Sequence, residues 1–567
     1  MFQFQPTKLR HISHTTKRLT IFGNISSTDL SEIGGKTTAN LSEIGGKTTA
    51  NLLEIGGKTT ANLSEIGGKR PSEFRGNGGN RHFKFRGNGG NRRFKFRGNG
   101  IFQRKHLKNR KISNTFAKTL KIMAKLVFKR KIYDRMLQWK QLSAGKSALL
   151  VQGARRIGKS TIVEEFAKKE YHSYILIDFN KASADVKALF DDLMDLDFLF
   201  LQLQTIYNVS LKERKSLIIF DEVQMCPKAR QAIKYLVADH RYDYIETGSL
   251  ISIRQNTRGI TIPSEEERID MFPMDFEEFR WALGDTATMP LLRTFLEKRH
   301  PLGAAHRAKQ RDLRLYMLVG GMPQAVGEYI QTNNLAAVDA VKRSIVQLYA
   351  DDFLKIDPSG KLGKLFMAIP AQLSRNASRY SPNAVVGKTD DEKEQEMIIS
   401  LEDSKTVLVA YHTNDPNAGM SLSRDISRYK LFAADTGLFV TMAFWDSDFS
   451  ENTIYQKLLA DKLDANLGYV YENIVAQMLT AAGNELFYYT FPKDDRHLYE
   501  VDFIIPHGSK ICPIEVKSSG YKTHASLDAF RHKFSARIAN SYILYTRDLQ
   551  RGDNELLYLP VYMTPLL

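Results

Sequence analysis

Gly153, Gly158, Lys159 and Ser160 stand in the spacing G-x-x-x-x-G-K-S, inside the run Gly153-Ala154-Arg155-Arg156-Ile157-Gly158-Lys159-Ser160-Thr161. The two glycines let a short loop curl with its N–H groups turned inward, which suits phosphate oxygens. A lysine at this place reaches the outer phosphates, and the hydroxyl after it can hold a magnesium ion. A second set, Asp221-Glu222, closes the apolar run Ser216 to Phe220. A carboxylate fixed at the end of a buried strand can bind magnesium directly or through water, and its neighbour can polarise an attacking water. The third set lies near the C-terminus: Glu472 in the apolar-periodic run GYVYENIVAQMLTAAG, Asp502 in YEVDFII, and Glu515 and Lys517 in CPIEVKSS. Residues two apart on a strand share a face, so Glu515 and Lys517 would point into one site, with Asp502 arriving from the neighbouring hairpin strand. Two carboxylates can chelate magnesium, a lysine beside them can orient or deprotonate water, and Glu472 could complete the ion's shell. Glu-Val-Lys alone is a common tripeptide. The lone acid of VDFII is more telling, because an unpartnered charge in an apolar strand is costly.

These groups need rigid elements beneath them. Ala148 to Val151 leads into the glycine loop, and Ser160 to about Lys169 has helical character, so the loop joins a strand to a helix whose dipole adds positive potential. Further strands are expected at Tyr174–Phe179, Leu217–Phe220 and Asp243–Glu246, with helical patterning over 124–144 and from about Ala182 to Tyr207. Strands alternating with helices imply a parallel sheet covered on both faces. Residues 291–350 read as helices broken at Gly320-Gly321-Met322-Pro323. Residues 360–440 mix short helices with a strand at Thr406–Tyr411, which could make a winged helix binding either DNA or another domain.

The formal charge of +18 invites a nucleic-acid reading, yet residues 1–122 hold 24 Lys or Arg against 6 Asp or Glu, and the remainder balances at 57 of each. The basicity therefore says nothing about what residues 123–567 touch. Residues 31–100 form two tandem arrays of 11-residue period, SEIGGKTTANL and FRGNGGNRxFK. Each copy carries too little apolar surface to offset its ordering entropy, so residues 1–122 are expected to be disordered. The recurring Gly-Gly-Lys-Thr-Thr has no strand before it and no first glycine at the right offset, which rules out a phosphate loop there. Near-identical copies are what a repeated DNA segment read in frame would give. Met123 is thus the expected natural start, the segment before it being an over-long reading frame or a dispensable tail. Two cysteines, Cys226 and Cys512, exclude a disulfide scaffold and a cysteine zinc site. No apolar run approaches the ~20 residues that span a bilayer. A soluble, cytoplasmic protein with no membrane partner is expected; the basic N-terminus, acid-free until Asp29, leaves an organelle transit peptide as a lesser reading.

GARRIGKST, IIFDEVQ, IETGSLI and MFPMDFEEF, with LVGGMPQAV and YKLFAADTGL further on, resemble the AAA-type ATP-binding proteins that carry a C-terminal domain of unknown function. The resemblance covers roughly residues 123–567 and none of the repeats. It implies a P-loop NTPase sheet over 123–290, a helical and winged-helix-like region over 291–445 and a restriction-endonuclease-like α/β domain over 446–567. ATP and magnesium are the implied cofactors, with Ser160 and Asp221 on the metal and Glu222 and Lys159 in catalysis. In AAA-type sheets a polar residue after the fourth strand senses the γ-phosphate, which nominates Thr247 or Ser249. Arg254, Arg258 and Arg268 follow it, and none is assigned as an arginine finger. The order Asp502, Glu515-x-Lys517 resembles PD-(D/E)xK nucleases. The expected function is a magnesium-dependent ATPase whose cycle controls a nuclease-like domain acting on DNA, with homo-oligomers as a further expectation. The competing expectation is an ATP-dependent switch whose silent nuclease-like domain only recruits a partner.

Overall fold

The computed structural model describes residues 126–567 except 144, 250–262, 376, 447–452, 461–467 and 554; ahead of them it describes the backbone of strands between residues 19 and 103. The chain divides into two units, Met1–Lys125 and Leu126–Leu567. In the first, strands such as Thr37–Ile44, Lys47–Ile55 and Lys58–Ile66 pair into a five-stranded sheet, and Arg81–Phe85, Arg92–Arg97 and Ile101–Gln103 into a three-stranded one. Copies two repeats apart align in register, Ala39 with Ala61 through Ile44 with Ile66, and their Thr and Ile content favours extended backbone. Lys47 and Lys58 open strands, whereas a phosphate-loop lysine opens a helix.

The second unit begins with a five-stranded parallel sheet. Its strands are β1 (Ala148–Gln152), β2 (Ser173–Asp178), β3 (Ser216–Asp221), β4 (Asp243–Gly248) and β5 (Glu266–Asp270), in the order β2-β3-β4-β1-β5. Alternation splits the sheet's side chains between two cores. Leu149, Val151, Leu217, Ile219 and Ile245 join one; Ala148, Leu150, Ile218, Phe220 and Tyr244 join the other. The expected strands are present to within one or two residues. β5 was not foreseen, because among EERID only Ile269 is buried and no apolar run marks it. Helix α1 (Ile132–Leu142) is shorter than 124–144: the Lys131 N–H donates to Glu278 Oε1 at 2.6 Å, leaving the preceding residues non-helical. The expected helix over 182–207 is two, Ala184–Ala188 and Leu196–Tyr207, capped by Ser183 and Asp195. Helix α2 (Lys159–Glu170) follows the glycine loop, and α3 (Pro227–Ala238) joins β3 to β4.

Helices α4 (His306–Val319), α5 (Pro323–Thr332) and α6 (Leu335–Ile356) follow, broken at Gly320-Gly321 as the sequence indicates. An eight-stranded mixed sheet comes next. It comprises β6 (Val407–Thr413), β7 (Arg424–Ala433), β8 (Phe487–Pro492), β9 (Leu498–His507), β10 (Lys510–Lys517), β11 (Ser541–Tyr545), β12 (Gln550–Arg551) and β13 (Leu556–Pro560), in the order β7-β6-β8-β9-β10-β11-β13-β12. The sheet crosses the boundary expected at 445/446: β6 pairs antiparallel with β7 and parallel with β8. The strand assigned to a winged helix is therefore part of the C-terminal sheet. Helix α7 (Thr436–Ala443) follows β7, α8 (Gly468–Ala481) carries Glu472, and α9 (Ala525–Lys533) joins β10 to β11. One apolar core runs from Ile132 to Met563, so the three expected modules share their interior.

Three motif segments interlock at the centre of this unit. Gly321 O accepts from Met274 N at 2.7 Å, and Tyr316 donates to Met274 O at 2.6 Å. Gly321 N donates to Asp435 Oδ2 at 2.5 Å, and Asp435 also caps α7. A Cβ on Gly321 would lie 2.0 Å from Met274 O, so only glycine permits the approach. Gln477 on α8 accepts from Thr436 N at 2.8 Å and donates to Tyr316 at 2.8 Å. MFPMDFEEF, LVGGMPQAV and AADTGL are thus junction sequences.

Candidate functional site

The glycine loop is clamped from three sides. Gly153 has φ +154°, and a Cβ on it would lie 2.2 Å from Met271 O. Buried Arg130 donates to Ile157 O at 2.9 Å and to Phe272 O at 2.6 Å, and Glu278 holds its Nε at 3.0 Å. From α6, Tyr349 donates to Arg155 O at 2.7 Å, while the Arg155 guanidinium pairs with Asp352 at 2.8 Å. Ala154 and Ile157 are buried side chains and Arg156 stands at φ +67°, so this stretch can offer a ligand mainly backbone and the Arg155 cation.

Lys159 opens α2 with its Nζ 3.0 Å from Gly153 O and 2.8 Å from Ala154 O. Burial pulls its pKa down to about 8, against the attraction of Glu222 and Asp221. The next residue brings the two halves of the site together: Ser160 Oγ donates to Asp221 Oδ1 at 2.7 Å. Thr247, next to last in β4, donates to the same oxygen, and the Glu222 N–H donates to Thr247 Oγ1 at 3.3 Å. Strand β3 is buried throughout, which fixes Asp221 at its C-terminal end. Glu222 turns out of the strand at φ +55° and accepts from Gln224 at 2.5 Å. With Arg155 and Ser249 it lines a cleft of about 430 Å³, walled by Tyr349, Asp352 and Lys355 of α6. A hydroxyl and a carboxylate side by side at a phosphate loop suit a magnesium ion in kind and place. Thr161 follows on α2, intermediate in exposure. Of the three arginines after β4, Arg268 pairs with Glu266 at 2.7 Å, and Arg254 and Arg258 lie outside the described residues.

The C-terminal set also converges. Pairing of Phe503 with Ile514 sets Asp502 beside Glu515 at the next position, and Asp502 Oδ2 accepts from Val516 N at 2.8 Å. Lys517 Nζ lies 2.7 Å from Glu515 Oε1, whereas Glu515 Oε2 is buried with no hydrogen-bond partner. Glu472, Asp502 and Lys517 line a pocket of about 250 Å³ with Glu500 and Lys430. Lys430, on β7 and 5% exposed, places Nζ 2.5 Å from Glu500 Oε1 and 4.0 Å from Glu472 Oε2. Burial pushes the Glu472 carboxyl up to about 7 although Lys430 opposes it, and burial with the nearby Asp502 charge pushes Glu515 to about 7. For Lys430 burial acts downward, but the Glu500, Glu472 and Asp502 charges outweigh it and raise its pKa. Among the described residues, no three His, Cys, Asp or Glu side chains are grouped as a metal ion would need. The carboxylates are of the right kind, but their arrangement serves two ammonium groups.

Residues 145–280 match the family described as AAA domain. That segment holds the glycine loop and the five-stranded parallel sheet. Residues 310–448 and 467–563 match two families each described as a domain of unknown function, DUF8612 and DUF4143. No curated protein matches in sequence. Solved structures that are similar include a Walker-type ATPase of Pyrococcus abyssi, at 16% identity and TM-score 0.35, with 56% of this chain and 96% of that one covered. A STAND protein with a tetratricopeptide repeat sensor from Pyrococcus horikoshii matches at 10% identity and TM-score 0.23, over 64% of this chain and 50% of that one. The Hsp104–ADP complex of S. cerevisiae matches at 12% and 0.23, over 63% and 44%, so the chain spans half or less of these last two. No described helix is long and apolar enough to cross a membrane.

Sequence reasoning brought Gly153, Gly158, Lys159, Ser160, Asp221, Glu222, Thr247 and Ser249 to one end of the AAA domain's sheet, and the structure gathers them there. It missed Arg130, Tyr349, Asp352 and Lys430. Arg130 sits in a basic run with no pattern of its own, Lys430 stands in YKLFAADTGL with no acid nearby to suggest a pocket until Asp435, and Tyr349 meets Arg155 from 194 residues away. The acid-lysine pocket is a composite: Lys430 lies in the 310–448 match, its partners in or beside the 467–563 match.

Proposed function

We propose that the protein is a magnesium-dependent ATPase whose nucleotide cycle acts on the C-terminal acid-lysine pocket, with DNA as that pocket's substrate. The observation that carries the first half is the 2.7 Å bond between Ser160 Oγ and Asp221 Oδ1, which sets the loop hydroxyl and the strand-end carboxylate where magnesium would be held. Bound there, the ion supplies positive charge beside the transferring phosphoryl group. Lys159 neutralises the outer phosphates, Glu222 orients the attacking water, and Thr247 or Ser249 reads the γ-phosphate. Support for the second half is the junction at Gly321 and Asp435, which ties the AAA domain to α7 and α8. Cytoplasmic location and self-association belong to the same reading.

A second reading, a silent pocket that only recruits a partner, is favoured by the pairing of Lys430 with Glu500. ATP turnover by the full chain and its loss in Lys159→Ala test the ATPase; unchanged turnover removes both readings. Plasmid, linear and branched DNA with Mg²⁺ or Mn²⁺ then separate the two. Cutting that disappears in Glu515→Ala selects the nuclease, and no cutting of any substrate selects the recruiter.

A further inference from the structure

The pocket lined by Glu472, Glu500 and Asp502 contains two lysines, and only Lys517, which pairs with Glu515, belongs to the strand pattern that suggested a nuclease. Lys430 comes from β7, separated from β9 by the two strands β6 and β8, and is nearly all buried. Its Nζ lies over the Tyr488 ring, 5.5 Å from the centroid. It stands between Glu500, at 2.5 Å, and Glu472, at 4.0 Å. A buried ammonium group in such a position does electrostatically what a bound cation would do: it neutralises carboxylates that could not otherwise lie together in a low-dielectric pocket.

We propose that Lys430 is the pocket's internal counter-ion, occupying the charge position that a divalent metal would need, so that metal binds only when the lysine withdraws. The inference rests on the reading of this pocket as nuclease-like, yet it concerns cation occupancy and not cleavage. Three features fit it. Glu515 Oε2 is buried and unpartnered, an acceptor in place for a cation other than Lys517. No three acids are grouped for a metal among the described residues. Finally, β7 ends at Ala433, shortly after Lys430, and Asp435 just beyond it receives the Gly321 N–H. The strand that holds the lysine in the pocket is therefore anchored at the junction.

The test uses the full chain without nucleotide and Mn²⁺ as the probe, with free Mn²⁺ measured by electron paramagnetic resonance. Binding at this pocket is the part lost in Glu515→Gln, which separates it from any metal held at Ser160 and Asp221. Wild type and Lys430→Arg are expected to bind Mn²⁺ there weakly, and Lys430→Met at least tenfold more tightly. Equal or weaker binding in a Lys430→Met protein that melts cooperatively overturns the proposal. Should that variant not fold, wild type alone decides: saturating Mn²⁺ must increase amine-reactive labelling of Lys430, read by mass spectrometry. Glu515-dependent Mn²⁺ binding without that increase also overturns it. Absence of DNA cutting would strike the nuclease reading and leave this result standing.

Discussion

At the scale of residues, Lys159 donates to two carbonyl oxygens of its own loop, so a triphosphate must draw its Nζ off both. Lys159→Ala should lower ATP turnover at least ~100-fold, the size of effect that follows loss of one charge-stabilising donor. Arg130 is a subtler case. It touches no ligand position, but it fastens Ile157 O, Phe272 O and Glu278 at once. Removing it leaves a buried carboxylate unpaired, so Arg130→Met should cost about 3 kcal/mol of stability. Calorimetry should show weaker ATP binding as well, because the loop backbone loses its inner support. The two residues differ in legibility for a plain reason. Lys159 is specified by neighbours within the loop, whereas Arg130 meets Glu278 from 148 residues away and leaves no local trace.

At the scale of elements, apolar runs located β1, β2 and β3, whereas β4 offered only Tyr244 and Ile245 among polar residues. The polar edge strand β5 and the composite second sheet carried no such signal, since pairing partners distant in sequence decide both. The junction rewards direct tests. A methyl group on Gly321 would meet backbone atoms of Met274, which cannot swing aside as a side chain can. Gly321→Ala should therefore lose about 3 kcal/mol or more in thermal or urea unfolding. Lys342 on α6 supplies a pH signature. It donates to Leu318 O at 2.7 Å and to Gly437 O at 3.2 Å, and burial holds its pKa down at about 8 against 10.5 for the unfolded chain. Between those two values the unfolded state keeps a proton that the native state has released, so stability rises with pH. The rise amounts to about 3 kcal/mol at most. It should vanish in Lys342→Met, read as the difference between the two stability–pH curves.

At the scale of the whole second unit, the nucleotide loop and the acid-lysine pocket are joined by parts already named. Pro323 Cγ lies 3.6 Å from where a Gly158 Cβ would be; Gly321 reaches Asp435; Thr436 reaches Gln477; and Ala433 bonds Asn473, next to Glu472. A non-hydrolysable ATP analogue should therefore slow amide exchange over 430–437 and 468–481 as well as over 153–161. Protection confined to the AAA domain would mean that the two sites act independently. The eight-stranded sheet adds a constraint of another kind. A recombination breakpoint between residues 448 and 467 would leave β6, β7 and Lys430 with one parent and Glu472 with the other. β6 and β8 would then be strands of different parentage, and poor pairing would leave bare peptide groups along β8 open to any passing strand. Chimeras that split the two segments are therefore expected to fold worse than either parent, even though the segments match two separate families.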